Sequence, residues 1–243
     1  MDNAIAGAMR LIAKGLAAGR LQTSASGLEH IPPQGPALVV ARHYHHLFDG
    51  LALFAVLHRP FHIVVTLDWV QSIPSKLFMQ ILTGLARWPV VLRRDALIRS
   101  SLSGAANGAG LFSPKDVIHY QRRALLQAVE LLVEGRVLIV FPEGYPNIDP
   151  TYTPKLKPEE FLPFKPGFVS IITAAEKRLR TKLPIIPLGI RYCAGKTWVA
   201  RLVFGEVIYR AQFADSTSLV ECVEKEVKKL SGLIAYQDKS KNP

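Results

Sequence analysis

Short apolar runs alternate with longer amphipathic stretches along the chain, and this alternation is the feature that most constrains its fold. Runs typical of buried strands, bounded by glycine, proline or polar residues, occur at 35–41, 62–66, 90–92, 136–141, 184–190 and 198–209. Stretches with helical spacing follow most of them, the longest covering 117–133. The alternation predicts a single α/β domain in which helices flank a mostly parallel mixed sheet.

Size and charge narrow the possible functions. The 243 residues are enough for one core, and the formal net charge of +11 at pH 7 favours an anionic partner. The basic residues are dispersed, and the sequence contains no nucleic-acid-binding motif, so a membrane surface or a phosphate-bearing ligand is favoured over nucleic acid. Cys193 and Cys222 lack the spacing of a zinc site or of a disulfide framework.

Residues 1–24 predict an amphipathic helix that precedes a main domain spanning 25–243. One face of this helix is apolar and contains Ile5, Met9, Ile12 and Leu16. Arg10 and Lys14 lie on the opposite side. The pattern fits a helix lying in a membrane interface and equally fits a helix docked on the protein's own core. No uninterrupted apolar run approaches the ~20 residues of a membrane-spanning helix.

Two polar segments directly follow predicted strands. "RHYHHLFDG" (42–50) comes after the run at 35–41, and "PEG" (142–144) comes after the run at 136–141. In parallel sheets, ligands bind beyond the carboxyl ends of the strands. We therefore expect the two segments to face each other across one site.

The first segment has the residues of a proton-transfer pair. A neutral imidazole, with a pKa of about 6.5, accepts a proton near neutral pH, and a neighbouring carboxylate fixes its tautomer. On these residues alone, an ordinary strand-to-helix connection with Asp49 near the helix start is the simpler interpretation. A metal site is disfavoured, because histidines crowded into one short loop seldom converge on one ion and no H-E-x-x-H spacing is present.

Four stretches that follow one another in a set order favour the proton-transfer pair over an ordinary connection. They are "ARHYHHLFD" (41–49), "WPVVLRRD" (88–95), "FPEG" (141–144) with a downstream "FKPG" (164–167), and "LPIIPLGI" (183–190). In this order they resemble the glycerolipid acyltransferase family, the lysophosphatidate acyltransferase-like enzymes. The resemblance implies a glycerol-3-phosphate acyltransferase-like fold. It also implies transfer of a fatty acyl chain from acyl-CoA or acyl-carrier protein to the hydroxyl of a lysophosphatidate-like glycerolipid, with no cofactor and no metal.

The resemblance implies a histidine base oriented by Asp49. The family places its aspartate five positions after the histidine, but position 44 is Tyr44. His43 lies six positions before Asp49 and is the preferred base, since one inserted residue in the turn would restore the geometry. His45, four positions before the aspartate, is the alternative base, and His46 is a third histidine of the same turn.

The resemblance also implies a phosphate-binding role for Arg93 or Arg94 and for Lys165, with Arg94 fitting the family pattern better. It makes Glu143 either a ligand for the glycerol part of the acceptor or an organiser of the phosphate-binding basic residues. Gly144 would let the backbone turn tightly. No protein nucleophile is required, and the sequence has no G-x-S-x-G elbow to supply one.

These inferences predict a peripheral or monotopic protein on the cytoplasmic face of a membrane. Its partners would be a lysophospholipid acceptor, an acyl donor and the membrane surface, and not nucleic acid. Two alternatives stay open: an acyltransferase of the same fold with a different acceptor, and a catalytically inactive basic lipid-binding module. The displaced histidine spacing motivates the second alternative.

Overall fold

The computed structural model describes residues 3–70, 72–102 and 111–233. The helices are α1 (Asn3–Ala17), α2 (Phe48–Val56), α3 (Ile73–Leu85), α4 (Arg94–Leu102), α5 (Pro114–Val133), α6 (Gly167–Leu179) and α7 (Ser216–Leu230). The strands are β1 (Leu21–Ser26), β2 (Ala37–Ala41), β3 (Phe61–Ile63), β4 (Val65–Thr66), β5 (Val90–Val91), β6 (Val137–Val140), β7 (Ile185–Cys193) and β8 (Trp198–Phe204).

Six strands form one sheet in the order β1-β8-β7-β2-β6-β3. Strand β2 pairs in parallel with β6 and β7, and β3 pairs in parallel with β6. Strand β8 runs antiparallel to β7, and β1 pairs in parallel with β8. The small β4 and β5 form a separate parallel pair. The predicted fold class, a single α/β domain with a mostly parallel mixed sheet, is confirmed.

The centre of the sheet is apolar on both faces, because helices cover both sides of β2 and β6. Val39 and Ile139 pack with residues of α1 and α2 in one buried layer. Leu38 and Leu138 point to the other face and pack with residues of α5, α6 and α7. Each residue of β2 and β6 is therefore buried, which explains why both sequences read as continuous apolar runs rather than as alternating ones.

Helix α1 is part of this layered body. It buries Ala6 and Ala13 in the layer shared with α2, while Ile5 and Met9 are partly buried against it. The other half of the predicted apolar face stays exposed, with Ile12 at 62% and Leu16 at 45%. Of the predicted apolar face, only the half that contains Ile5 and Met9 is therefore docked on the protein's own core. The boundary drawn after residue 24 falls inside β1, so α1 and β1 join the main domain without a break.

Other differences from the sequence prediction have local causes. Strand β1, "LQTSAS", was not predicted, because it is polar and lies at the edge of the sheet. The run at 62–66 is two short strands, and the run at 198–209 ends at Phe204. The small-residue stretch at 100–116 predicts a loop, but helix α4 extends three residues into it and α5 begins at Pro114. Residues 103–110 of this stretch lie outside the described residues. Among the described helices, none has the length and apolar character needed to cross a membrane.

Candidate active site

The two polar segments predicted to share a site meet beyond the ends of β2 and β6. These strands are parallel neighbours in register, so the residues after Ala41 and after Val140 emerge at the same edge. The backbone N–H of His43 donates a 2.9 Å hydrogen bond to Oε1 of Glu143. The imidazole of His43 stacks on the ring of Phe141, with 4.6 Å between the ring centroids.

His43 and Asp49 form a close pair, with 2.8 Å between Nδ1 and Oδ2. The carboxylate is 1% exposed, and Oδ2 also accepts the backbone N–H groups of Tyr44 and His45 at 2.8 and 3.2 Å. Its other oxygen, Oδ1, accepts the hydroxyl of Tyr192 at 2.7 Å. A carboxylate surrounded by donors acts as an acceptor, so this contact favours the neutral tautomer with the proton on Nδ1 and the lone pair on Nε2. The side chain of His43 is 20% exposed, which leaves a route for a proton donor.

The six-residue spacing between His43 and Asp49 is accommodated by the turn. Helix α2 begins at Phe48 and places Asp49 in its first turn. The backbone before it is held by Ile148, whose N–H donates to the carbonyl of Tyr44 at 2.8 Å. The carbonyl of Ile148 accepts the N–H of His46 at 3.0 Å. The spacing is one residue longer than in the family, and the turn accommodates the additional residue in a short parallel bridge between His45 and Ile148. The contact between the imidazole of His43 and the carboxylate of Asp49 is kept.

The other two histidines have different surroundings. Nδ1 of His45 accepts the N–H groups of Leu47 and Phe48 at 3.2 and 3.3 Å, so the ring caps the start of α2. Burial disfavours its imidazolium form and lowers the pKa of His45 to about 4. His46 is exposed and donates through Nδ1 to the carbonyl of Ile148 at 3.2 Å. In the described ranges, no three histidine, cysteine or acidic side chains are grouped as metal ligands.

Tyr192 was not identified from the sequence. It lies near the end of β7, the strand on the other side of β2, and its hydroxyl donates to Asp49. Its ring stacks on Tyr44 at 4.8 Å. Burial raises the pKa of Tyr192, so the phenol stays protonated and remains a donor to the carboxylate. The only signal in the sequence was a tyrosine near the end of the proline-flanked strand.

Glu143 is fully enclosed by protein groups. Besides the N–H of His43 on Oε1, it receives Nζ of Lys155 on Oε2 at 2.6 Å and the N–H of Leu162 at 3.0 Å. The side chains of Glu143 and Lys155 are both 0% exposed. Both carboxylate oxygens are therefore occupied, and Glu143 organises the backbone of the turn that carries His43 in this structure.

Lys155 was not identified from the sequence either. It comes from the loop 145–163, and its Nζ donates to the carbonyl of His43 at 2.9 Å and to Oδ1 of Asn147 at 3.2 Å. Burial lowers the pKa of Lys155, while the neighbouring carboxylate of Glu143 opposes that shift. A lone lysine in a proline-rich loop carries no periodic pattern that would have revealed this position.

The same loop contacts the turn that carries His43 at a second point. The guanidinium of Arg42 is 3% exposed and donates to the carbonyl of Pro158 at 2.6 Å. Asn147 holds the loop together, because its Nδ2 donates to three loop carbonyls, including that of Pro158 at 3.2 Å. The loop 145–163 therefore packs directly against the residues that position His43.

Arg93 points into the protein. Its Nη2 is 2.5 Å from Oδ1 of Asp68, and its own backbone N–H donates to Oδ2 at 2.6 Å. The side chains of Arg93 and Asp68 are 9% and 0% exposed. Nη1 of Arg93 reaches the carbonyl of Gly144 at 2.8 Å, which fixes the turn after Glu143. Gly144 has a φ of 75°, a conformation that favours glycine, as predicted for a tight turn.

Basic side chains form an accessible rim beside Gly144. Arg94 is exposed at the first residue of α4, and Lys165 is 56% exposed with its Nζ 4.0 Å from Oδ1 of Asp95. Arg99, one turn further along α4, contacts Asp95 at 3.2 Å and the hydroxyl of Tyr145. Tyr145 in turn donates to Asp95 at 2.7 Å. Arg99 was not identified as a site residue from the sequence. No helix was predicted at 94–102, because this stretch lacks a clear apolar period.

The chain is similar in sequence and in fold to known proteins. Residues 22–191 match the model of the Acyltransferase family. Uncharacterized proteins of Mycobacterium bovis and Mycobacterium tuberculosis are 30% identical over 171 residues, which is 68% of this chain and 36% of theirs. The chain thus spans about a third of the length of these curated relatives.

A solved structure shares the fold. The crystal structure of the 1-acyl-sn-glycerophosphate acyltransferase PlsC from Thermotoga maritima aligns with a TM-score of 0.59. The alignment covers 97% of this chain and 82% of that chain, at 19% sequence identity. The family match covers more than half of the chain and includes the strands and turns that carry His43, Asp49 and Glu143. The chain therefore belongs to the Acyltransferase family.

Proposed function

We propose that the protein transfers a fatty acyl group from a thioester, acyl-CoA or acyl-carrier protein, to the hydroxyl of a lysophosphatidate-like glycerolipid. The observation that carries this proposal is the 2.8 Å contact between His43 and Asp49 in a member of the Acyltransferase family. The protonated Nδ1 leaves Nε2 as the basic atom, on a ring that is partly exposed. Phospholipid biosynthesis is the process that this reaction would serve.

His43 acts as the general base in the proposed reaction. Nε2 takes the proton of the acceptor hydroxyl while the oxygen attacks the thioester carbonyl and forms the new C–O bond. The C–S bond then breaks, and the imidazolium returns its proton to the departing thiolate. Asp49 stabilises the imidazolium between these two steps and keeps the ring in one tautomer. Because the substrate supplies the nucleophile, no acyl-enzyme is formed.

The basic rim supports an acceptor that carries a phosphate. Arg94, Arg99 and Lys165 are accessible cations, and guanidinium groups bind phosphate oxygens in pairs. Arg93 and Glu143 are engaged by protein groups, so in this proposal they shape the site from behind. The fold neighbour from Thermotoga maritima is named for an acceptor of this class, which also supports the choice.

His43 is preferred to His45 as the base. The ring of His43 contacts the carboxylate of Asp49, whereas His45 contacts it only through its backbone N–H. The ring of His45 already accepts two N–H groups of α2, and its low pKa makes it a weak base. The unusual spacing, which motivated an inactive lipid-binding module, does not separate His43 from Asp49.

An acceptor panel with purified protein tests the proposal. Lysophosphatidate, lysophosphatidylcholine, glycerol 3-phosphate and a monoacylglycerol are each supplied with acyl-CoA or acyl-carrier protein, and thiol release is measured. We expect the highest turnover with lysophosphatidate and a loss of about 10³-fold or more in His43→Ala. Activity that survives in His43→Ala but disappears in His45→Ala would reassign the base. Turnover confined to an acceptor without phosphate would favour another acyltransferase.

A further inference from the structure

Helix α3 presents an apolar face that remains exposed in the part of the chain that the structure describes. Five large side chains on one side of the helix are each 55% to 64% exposed: Ile73, Leu77, Phe78, Ile81 and Leu85. At 3.6 residues per turn they lie within an arc of about 140°. Thr83, on the opposite side, is buried, and Met79 packs against the small core beneath the helix. We call these five residues the α3 face. Contiguous exposed apolar surface of this kind marks a binding surface.

The surroundings of the α3 face are strongly basic. The helix itself has no acidic residue, and residues 69–129 contain eight lysines and arginines but only two acids. Both acids are engaged, Asp95 by Tyr145 and Asp116 by the cap of α5. Among the basic residues, Arg93 is buried against Asp68 and Arg87 pairs with Glu134. Lys76 and Arg99 are partly exposed, and the exposed cations are Arg94, Lys115, Arg122 and Arg123. Apolar side chains combined with surrounding cations match the chemistry of an anionic bilayer interface.

Charge also argues against a second copy of the chain as the occupant. A two-fold interface through the α3 face would bring the same basic segment of both copies together, at a cost in like-charge repulsion. A single bound acyl chain is disfavoured as well. The side chains stand exposed on a helix surface, whereas acyl chains bind in enclosed grooves.

The α3 face is mechanically linked to the site. Met79 of α3 packs on the cluster that contains Leu67 and Leu92. The residues that follow these two leucines in the chain are Asp68 and Arg93, which pair with each other and hold the carbonyl of Gly144. A surface that binds at α3 is therefore joined through one small core to the basic rim beside Gly144.

We propose that the α3 face docks the protein on the surface of an anionic lipid bilayer. Docking there presents the basic rim to headgroups while the apolar side chains enter the interface. The inference rests on the proposed function only for the identity of the substrate, because binding to vesicles is measured without catalysis. It adds a second surface to the sequence-based hypothesis, in which the N-terminal helix either lies in a membrane interface or docks on the protein's own core.

Vesicle co-sedimentation of the full chain tests the docking. The vesicles are phosphatidylcholine alone or phosphatidylcholine with 30% phosphatidylglycerol, at low and high salt. The variant is Leu77→Ser/Phe78→Ser/Ile81→Ser, and the matched control is Ile12→Ser/Leu16→Ser on α1, whose side chains are similarly exposed. We expect the wild type to bind anionic vesicles and to weaken with salt, and the α3 variant to bind at least about tenfold more weakly. The control should retain most of its binding.

Several outcomes would overturn the inference. They are a wild type that does not bind anionic vesicles, an α3 variant that binds as well as the wild type, and a control variant that loses binding instead. A wild-type dimer that the α3 variant converts to monomer would identify a second copy as the occupant. Unchanged melting temperatures ensure that the variants are folded.

A catalytic readout separates this inference from the proposed function. The α3 variant should keep its turnover of a short-chain lysophosphatidate that is dissolved as monomers, and lose turnover of a long-chain acceptor embedded in vesicles. Equal losses on both acceptors would overturn the docking role. A wild type that binds vesicles but turns over no acceptor would instead refute the proposed function alone.

Discussion

Replacing Lys155 by methionine tests how the turn that carries His43 is held. Its ammonium and the carboxylate of Glu143 are 2.6 Å apart, and both side chains are 0% exposed. Methionine fills a similar volume but removes the charge, so Glu143 is left buried with only backbone N–H donors. Breaking a buried pair in this way costs about 3–5 kcal/mol, because the desolvated charge loses its compensation. We expect a loss of unfolding free energy of that size.

A partly exposed pair of equal length provides the matched control. Lys228 and Glu224 are also 2.6 Å apart, but their side chains are 30% and 19% exposed. Lys228→Met should cost only about 0.5 kcal/mol, since water solvates the remaining carboxylate. Both variants are unfolded with urea under identical conditions, and the ratio of the two losses measures the effect of burial. Equal losses in the two variants would refute the reasoning.

A double-mutant cycle refines the test. In Lys155→Met/Glu143→Gln the buried charge disappears together with its partner, so the combined loss should be smaller than the sum of the two single losses. Catalysis supplies a second readout, because Lys155 also holds the carbonyl of His43. We expect kcat to fall in Lys155→Met at a temperature where the variant is still folded, with a smaller change in KM.

Three further predictions concern buried or basic side chains. Burial lowers the pKa of His45 to about 4, and it does the same for His62, a fully buried residue of β3 outside the site. The unfolded chain therefore protonates first, and each residue should reduce stability by up to about 3 kcal/mol as the pH falls from about 6.5 to about 4. Urea unfolding at pH 7.0, 5.5 and 4.5 measures this, and a flat profile would contradict it. Tyr192→Phe removes one donor from Asp49 and should lower kcat about tenfold and stability by about 1.5–3 kcal/mol, as seen in turnover and melting measurements. Arg99→Leu should raise KM for a phosphate-bearing acceptor about tenfold without changing KM for the acyl donor, in steady-state kinetics with each substrate varied.

The sequence was most informative where burial is complete on both faces of the sheet. Strands β2 and β6 are apolar throughout, and their carboxyl ends then fix where the residues after Ala41 and Val140 must emerge. The sequence therefore predicted that the segments at 42–50 and 142–144 face each other, and the pairing of β2 with β6 in the structure brings His43 to Glu143. The pairing of His43 with Asp49, against the family spacing, followed once one extra residue in the turn was allowed.

Contacts between distant positions could not be predicted in this way. Lys155 reaches the carbonyl of His43 across 112 positions, and Tyr192 reaches Asp49 across 143 positions. Neither residue belongs to a periodic pattern, since one comes from an irregular loop and the other from the partly exposed end of β7. Strand β1 was missed for a related reason, because its polar sequence is specified by backbone pairing with β8 rather than by burial.

The buried ion pair beside His43 makes physical sense as a positioning device. Glu143 accepts the N–H of His43, Lys155 donates to the carbonyl of the same residue, and the two side chains bind each other. The three contacts close a ring around the backbone of the proposed base. A buried pair of this kind adds little net stability, but it restricts both polar backbone groups of His43 to one position. The proposed general-base catalysis would depend on that restriction, because a displacement of about 1 Å at the base can cost about 10²-fold in rate.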